Sequence, residues 1–70
     1  MRTLREARES RGWELRELTA VTGISFGHLA KAERGEVVLS PEYRIRLIRA
    51  FGLSLAEARE IAEFAIEVPA

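Results

Sequence analysis

The sequence has no cysteine among its 70 residues and a single histidine, His28. The absence of cysteine excludes a disulfide framework and a cysteine-based zinc site or nucleophile. One histidine cannot hold a metal ion by itself, so we expect no metal and no cofactor. No apolar run approaches the roughly 20 residues that span a bilayer, and the charged N-terminus MRTLREARES lacks the apolar core of a signal peptide. These absences favour a cytoplasmic protein without a membrane segment.

The chain also lacks net charge, because eleven basic residues balance eleven acidic ones. A strongly basic composition would by itself point to nucleic acid, and this composition does not. The charges are distributed unevenly, however. Residues 1–53 hold ten Lys and Arg against seven Glu, whereas residues 54–70 hold one Arg against four Glu. A mildly basic body with an acidic C-terminal segment is compatible with DNA binding without requiring it.

Apolar residues recur at helical spacing along the chain, and no useful alternating run indicates a strand. Capping residues indicate where each predicted helix begins and ends. Thr3 with Glu6, and Ser54 with Glu57, have the spacing of capping boxes. Glycines at positions 12, 23, 35 and 52 are suited to helix stops and turns. The sequence predicts one all-α domain over residues 1–70 with five helices, among them helix 2 at about 14–22, helix 3 at about 25–34 and a C-terminal helix at about 54–67.

Residues 17–35 read ELTAVTGISFGHLAKAERG and have the layout of a helix-turn-helix, two helices joined by a short turn that contains glycine. Gly23 suits the turn because it takes positive φ without penalty, Ile24 anchors the turn in the core, and Ser25 caps the second helix. With Leu18, Leu29 and the closing Glu-Arg-Gly, this stretch resembles the DNA-binding domain of Cro and lambda-type phage repressors, the XRE-type helix-turn-helix family.

The resemblance extends without a gap from about residue 4 to residue 57. LREARESRGW looks like the first helix of the family, and Ser40 to Leu53 resembles its fourth helix and the following turn. The resemblance implies a compact five-helix lambda-repressor-like domain, commonly a homodimer on a palindromic double-stranded DNA site.

By the same resemblance, helix 3 enters the DNA major groove. The residues facing the bases would be Ser25, Phe26, Gly27, His28 and Lys31, and the residues suited to phosphates are Arg16, Arg34 and Arg44. Phe26 fits either a thymine methyl group or, as an exposed aromatic, a protein partner. His28 is expected to be exposed, either as a DNA contact or as a passive surface residue.

Two departures from the family pattern weaken the expected grip on phosphates. Where the family commonly opens helix 2 with Ser-Gln, this chain has Glu14-Leu15, which cannot donate a side-chain hydrogen bond. The loop after helix 3, commonly basic, is Glu36-Val37-Val38-Leu39. Its three apolar residues either tuck under helix 4 or form a sticky surface. Since phosphate contacts supply most of the non-specific affinity, we expect weaker DNA binding than the fold alone suggests.

The apolar residues of the C-terminal helix spread over about 200° of its circumference at roughly 100° per residue, wider than one core-facing stripe. We expect four of them to pack inward, namely Leu55, Ala58, Ala62 and Ala65. Three are then left for a two-fold dimer interface, namely Ile61, Phe64 and Val68. In the alternative, the C-terminus folds these residues back onto helix 1.

Catalysis is not expected, because the sequence offers no nucleophile–base pair, glycine-rich phosphate loop or metal cluster. The favoured hypothesis is a small sequence-specific DNA-binding transcriptional regulator, in its simplest form a dimeric repressor. The alternative is a protein-interaction module on the same fold that binds another regulator or the transcription machinery. Its contact surface would be Phe26, Gly27 and the loop residues Val37 to Leu39.

Overall fold

The computed structural model describes residues 2–65. Within them the chain forms five helices, which are α1 (Leu4–Ser10), α2 (Leu15–Thr22), α3 (Phe26–Glu33), α4 (Pro41–Phe51) and α5 (Leu55–Ala58). The described residues contain no strand beyond one isolated parallel bridge between Arg2 and Ile61. The predicted all-α fold of five helices is confirmed. No helix within residues 2–65 has the length and apolar character required to cross a membrane.

Side-chain caps fix where the helices begin. The Thr3 hydroxyl accepts a hydrogen bond from the Glu6 N–H at 3.1 Å, while the Glu6 carboxylate accepts from the Thr3 N–H at 3.0 Å. Ser54 and Glu57 repeat this arrangement at α5, and the hydrogen bonds from Ser54 lower the pKa of Glu57. Because the first N–H groups of a helix have no partner inside it, each cap stabilises one start over its neighbours.

The turn between α2 and α3 is held by backbone conformation and by a buried hydroxyl. Gly23 lies in the left-handed region at φ 74°, and its N–H donates to the Thr19 carbonyl at 2.9 Å. The Thr22 hydroxyl donates to the Leu18 carbonyl at 2.7 Å and accepts from the Ile24 N–H at 3.2 Å. Ile24 is fully buried. These contacts set the angle at which α3 leaves α2.

The core draws apolar side chains from all five helices and from the connections between them. Trp13, just after α1, stacks on Phe51 with ring centroids 5.3 Å apart. Two predicted inward positions are wrong, because Leu55 is 73% exposed and Ala62 is exposed. Val21, whose helical spacing also suits the core, is 66% exposed. The buried core consists of Leu4, Ala7, Leu18, Ile24, Leu29, Ala32, Leu39, Leu47, Phe51, Ala58, Ile61 and Phe64.

The C-terminal segment leaves the helix after Ala58, far short of the predicted end near residue 67. It turns back along the N-terminus, where the Arg2 N–H donates to the Glu60 carbonyl at 2.9 Å and the Ala62 N–H donates to the Arg2 carbonyl at 2.8 Å. This turn buries Ile61 and Phe64 inside the domain, where they are 2% and 8% exposed.

The prediction that Ile61 and Phe64 remain exposed for a dimer interface is therefore wrong, and Val68 lies outside the described residues. The prediction assumed a regular 100° rotation per residue, which applies only while the chain stays helical. The segment follows the alternative in which these side chains fold back toward the start of the chain.

A buried ion pair joins α1 to the end of α3. Arg8 Nε donates to Glu33 Oε2 at 2.8 Å, and Arg8 Nη2 donates to Glu33 Oε1 at 3.1 Å. Arg8 Nη1 donates to the Trp13 carbonyl at 2.8 Å. The hydrogen bonds that Arg8 donates to Glu33 raise the pKa of Arg8 against the opposing effect of burial. The pair holds the C-terminal end of α3 in place from inside the domain.

Candidate nucleic-acid interface

Helix α3 has a buried side and an exposed side. Leu29 and Ala32 are buried on one side, and Glu33 turns toward Arg8 on the same side. At about 100° per residue, Phe26, Ala30, Gly27 and Lys31 fall within an arc of roughly 140° that begins about 60° from Leu29 and ends nearly opposite it. Three of these are exposed and Ala30 is half-buried. The helix therefore presents a mostly apolar surface with one cation to solvent.

Ser25 and Gly27 lie in the first turn of this surface. The Ser25 hydroxyl accepts a hydrogen bond from the His28 N–H at 3.3 Å, so its first role is to cap α3. A Cβ placed on Gly27 would meet nothing within 4 Å, and the φ of Gly27 is not positive. Neither packing nor backbone conformation in this protein therefore requires glycine at position 27.

The sequence predicted an exposed His28, but in the structure this side chain does not lie free on the surface. Its ring is half-buried and meets the edge of the Tyr43 ring from α4 at a centroid distance of 5.2 Å. The His28 Nε2 atom is buried and has no hydrogen-bond partner in the described structure. Helical spacing places His28 near the edge of the buried side of α3. A tertiary contact then buries it further, because α4 brings Tyr43 over this position.

Phe26, Lys31 and Ala30 complete the exposed face. Phe26, the first residue of α3, is 50% exposed, and Lys31 one turn later is exposed. Ala30 was not predicted as a site residue, although a helical projection places it only about 40° from Phe26. Its methyl group extends the apolar surface of Phe26.

The three arginines expected to reach phosphates differ in their freedom. Arg16 is exposed on α2. Arg34 is paired with Glu36, but both side chains remain more than half exposed. Arg44 is half-buried and donates from Nη1 to the Leu39 carbonyl at 3.0 Å, which ties it to the loop before α4. All three are cationic, but only Arg16 lacks a contact of this kind within the described residues.

The two departures from the family pattern have structural explanations. Leu15 packs partly buried against the core at the start of α2, where it supports the fold. In the loop after α3, Leu39 is buried, Val37 is partly buried and Val38 is 77% exposed. The loop therefore tucks two of its three apolar side chains inward and leaves Val38 in solvent.

A second arginine of α4, Arg46, was not predicted as a site residue. Its Nη2 donates to Glu42 at 2.8 Å, and its guanidinium lies 5.6 Å from the centre of the Tyr43 ring. Arg46 and Arg49 line an open depression of about 400 Å³ between α2 and α4, together with Val21, Thr22 and Ala50. Residues 2–65 contain no group of three or more side chains suited to hold a metal ion.

Comparison with known proteins gives results that agree with this geometry. A curated protein of Thermococcus kodakarensis, named provisionally as an HTH-type transcriptional regulatory protein, is 38% identical over 64 residues. That alignment covers 91% of this chain but 20% of the relative, so the chain spans about a fifth of the relative's length. No solved structure gives a significant match. The model of the helix-turn-helix domain family matches residues 2–61. This chain therefore belongs to the helix-turn-helix domain family.

Proposed function

We propose that this chain is the DNA-binding module of a transcriptional regulator and that α3 enters the major groove. The observation that carries the proposal is the exposed face of α3, which projects from a turn fixed by Gly23, Thr22 and Ile24. Membership of the helix-turn-helix family supports it. The name of the Thermococcus kodakarensis relative supports the regulatory role.

Charge supports the same orientation. The one acidic side chain of α3, Glu33, is withdrawn into the ion pair with Arg8, and Lys31 stands exposed on the opposite face. Arg16 is free to reach a phosphate from α2. Arg34 can exchange Glu36 for a phosphate at small cost, since an exposed ion pair contributes at most about 1 kcal/mol. Arg44 keeps further N–H donors besides the one that Leu39 accepts.

Repression, a palindromic site and a dimer on that site complete the proposal, together with a cytoplasmic location and a role without catalysis. Because Ile61 and Phe64 are buried within the domain, we propose that the dimer pairs through another surface. Because this chain covers a fifth of its relative, we assign it the DNA-contacting step alone and propose the regulatory output for the whole protein.

The test is selection of bound fragments from a random-sequence duplex pool, followed by native mass measurement of the complex. We expect an enriched motif and an affinity that falls steeply with salt, because phosphate contacts release counterions. Lys31→Ala should weaken binding, whereas Arg5→Ala on the exposed side of α1 serves as the charge-matched control. The absence of any enriched motif, or equal binding by the Lys31→Ala variant and wild type, would refute the proposal.

Two exposed apolar side chains keep the protein-interaction module as a second candidate. Phe26 is 50% exposed and Val38 is 77% exposed. If these side chains bind a protein, Phe26→Ala and Val38→Ser should both reduce capture of that partner while leaving DNA affinity unchanged. If Phe26→Ala alters DNA binding and no protein co-purifies with wild type, this alternative fails.

A further inference from the structure

We propose that Phe26 makes this module selective for thymine, through apolar contact between its ring and the C5-methyl group in the major groove. The inference rests on the proposed function and deepens it, since it names the base that α3 recognises and the chemical group on that base. Phe26 is then the specificity-determining residue of α3.

Polar groups at the start of α3 already make contacts within the domain. The Ser25 hydroxyl caps the helix by accepting from the His28 N–H at 3.3 Å. The His28 ring packs on Tyr43, and its Nε2 atom is buried. Of the three polar side chains expected to read bases, His28 is therefore packed against α4, and the Ser25 hydroxyl, although exposed, already caps the helix. Lys31 is exposed and, within the described residues, its side chain makes no hydrogen bond or ion pair.

What remains of the exposed face is mainly apolar. Phe26 is 50% exposed, and the Ala30 methyl group lies about 40° from it around the helix. Between Phe26 and Lys31 lies Gly27, where space is open out to 4 Å around the position of a Cβ. An aromatic ring beside a position without a side chain can approach a groove floor closely.

The chemistry of the major groove then selects the base. Each base pair displays hydrogen-bond donors and acceptors there, and thymine alone among the four bases displays a methyl group. A phenylalanine ring offers no hydrogen bond, so it discriminates by burying that methyl group. Lys31 can bond guanine N7 and O6 or a phosphate, and its charge attracts the anionic duplex to the same face.

The alternative to DNA as the binding partner of Phe26 is a protein. The charges of the exposed face of α3 favour DNA. The acidic side chain of α3, Glu33, is buried against Arg8. The exposed face of α3 thus carries the charge of Lys31 alone, and Arg34 follows at the end of the helix. An apolar surface bordered by cations complements a groove that is lined by phosphates and contains methyl groups.

The experiment compares two random-sequence duplex libraries, one synthesised with thymine and one with uracil at every thymine position. Uracil lacks the C5-methyl group and keeps the same hydrogen-bonding edge. After selection on the thymine library, the enriched duplex is remade in both forms and its affinity is measured. We expect uracil to weaken wild-type binding about fourfold for each methyl group contacted, from about 0.8 kcal/mol per buried methyl-sized group.

Three variants assign the effect to a residue. Phe26→Ala should bring the ratio of thymine to uracil affinity to about one, whereas Phe26→Leu, which keeps an apolar side chain, should retain part of it. Lys31→Ala should weaken both duplexes and leave the ratio unchanged. Because Phe26 is half exposed and lies in the first turn of α3, its replacement should leave the domain folded, which thermal unfolding checks.

The outcomes separate the two proposals. Sequence-selective binding with equal affinity for thymine and uracil duplexes would overturn the role of Phe26 and leave the proposed function intact. A thymine preference that survives Phe26→Ala would also overturn it. Absence of selective binding to either library would overturn both proposals.

Discussion

Replacing Glu33 with alanine removes one partner of the buried ion pair that joins α1 to α3. The Arg8 and Glu33 side chains are 12% and 8% exposed. In the variant, the Arg8 guanidinium keeps its hydrogen bond to the Trp13 carbonyl but loses both bonds to the carboxylate. A cation with little access to water is then left without its counter-charge.

The expected loss is large relative to the stability of a small domain. Breaking a buried ion pair by removing one partner costs about 3–5 kcal/mol, because the remaining charge is still desolvated. A single core in a chain this short supplies roughly 3–5 kcal/mol. Because Arg8 keeps some access to water, we expect Glu33→Ala to cost an amount near the lower end of that range, which is still a large part of the free energy of unfolding.

Urea denaturation followed by circular dichroism and by Trp13 fluorescence measures this loss, because Trp13 stacks on Phe51 in the core. The matched control is Glu9→Ala, which removes the partner of Arg5 in an exposed pair whose side chains are 66% and 55% exposed. That change should cost no more than about 0.5 kcal/mol. A loss below about 1 kcal/mol for Glu33→Ala would refute the assignment of the buried pair as a main contact between α1 and α3.

Gly27→Ala should raise the free energy of unfolding by up to about 1 kcal/mol, since alanine favours a helix and its Cβ meets nothing within 4 Å, yet it should weaken DNA binding. Thermal unfolding and duplex titration check the two effects. Gly23→Ala is the destabilising control, because Gly23 lies at φ 74°. A stabilised Gly27→Ala variant with undiminished DNA affinity would contradict a close approach of DNA to Gly27. Because the pKa of Glu57 is lowered in the folded state, its ionised form stabilises the fold above the ordinary value of 4.5, and this contribution is lost as the pH falls through the folded pKa. Glu57→Gln should therefore flatten the loss of stability on acidification below about pH 5. Ser54→Ala should have a smaller effect, because the backbone N–H of residue 54 still donates to the Glu57 carboxylate. Denaturation midpoints across that range measure both slopes, and an unchanged slope for Glu57→Gln would contradict the prediction.

The helix-turn-helix could be predicted because its signals are local. Gly23 takes a left-handed conformation that few other residues tolerate. The Ser25 hydroxyl caps α3 by accepting a hydrogen bond from the N–H three residues later. Leu18 and Leu29 are the fully buried positions that helical spacing indicates. Each of these features depends on a few consecutive residues, so the sequence alone specifies them.

The features that were not predicted depend on distant parts of the chain. His28 is half-buried because α4 places Tyr43 over it, fifteen positions later in the sequence. Ile61 and Phe64 turn inward because Arg2 provides backbone partners that draw the chain out of its helix. Val21 has helical spacing suited to the core, but the rotation of α2 about its axis is set by packing against α3 and α4. Spacing within one helix carries no information on such contacts.

The bridge between Arg2 and Ile61 has a consequence for how the domain opens. The Glu63 carboxylate accepts a hydrogen bond from the Leu4 N–H at 2.7 Å and so acts as a second cap on α1. Detachment of the C-terminal segment would remove the hydrogen bond from the Leu4 N–H to Glu63 and expose Ile61 and Phe64 to water at the same time. The two ends of the described chain therefore protect each other, and their amide hydrogens should exchange with solvent as one cooperative unit.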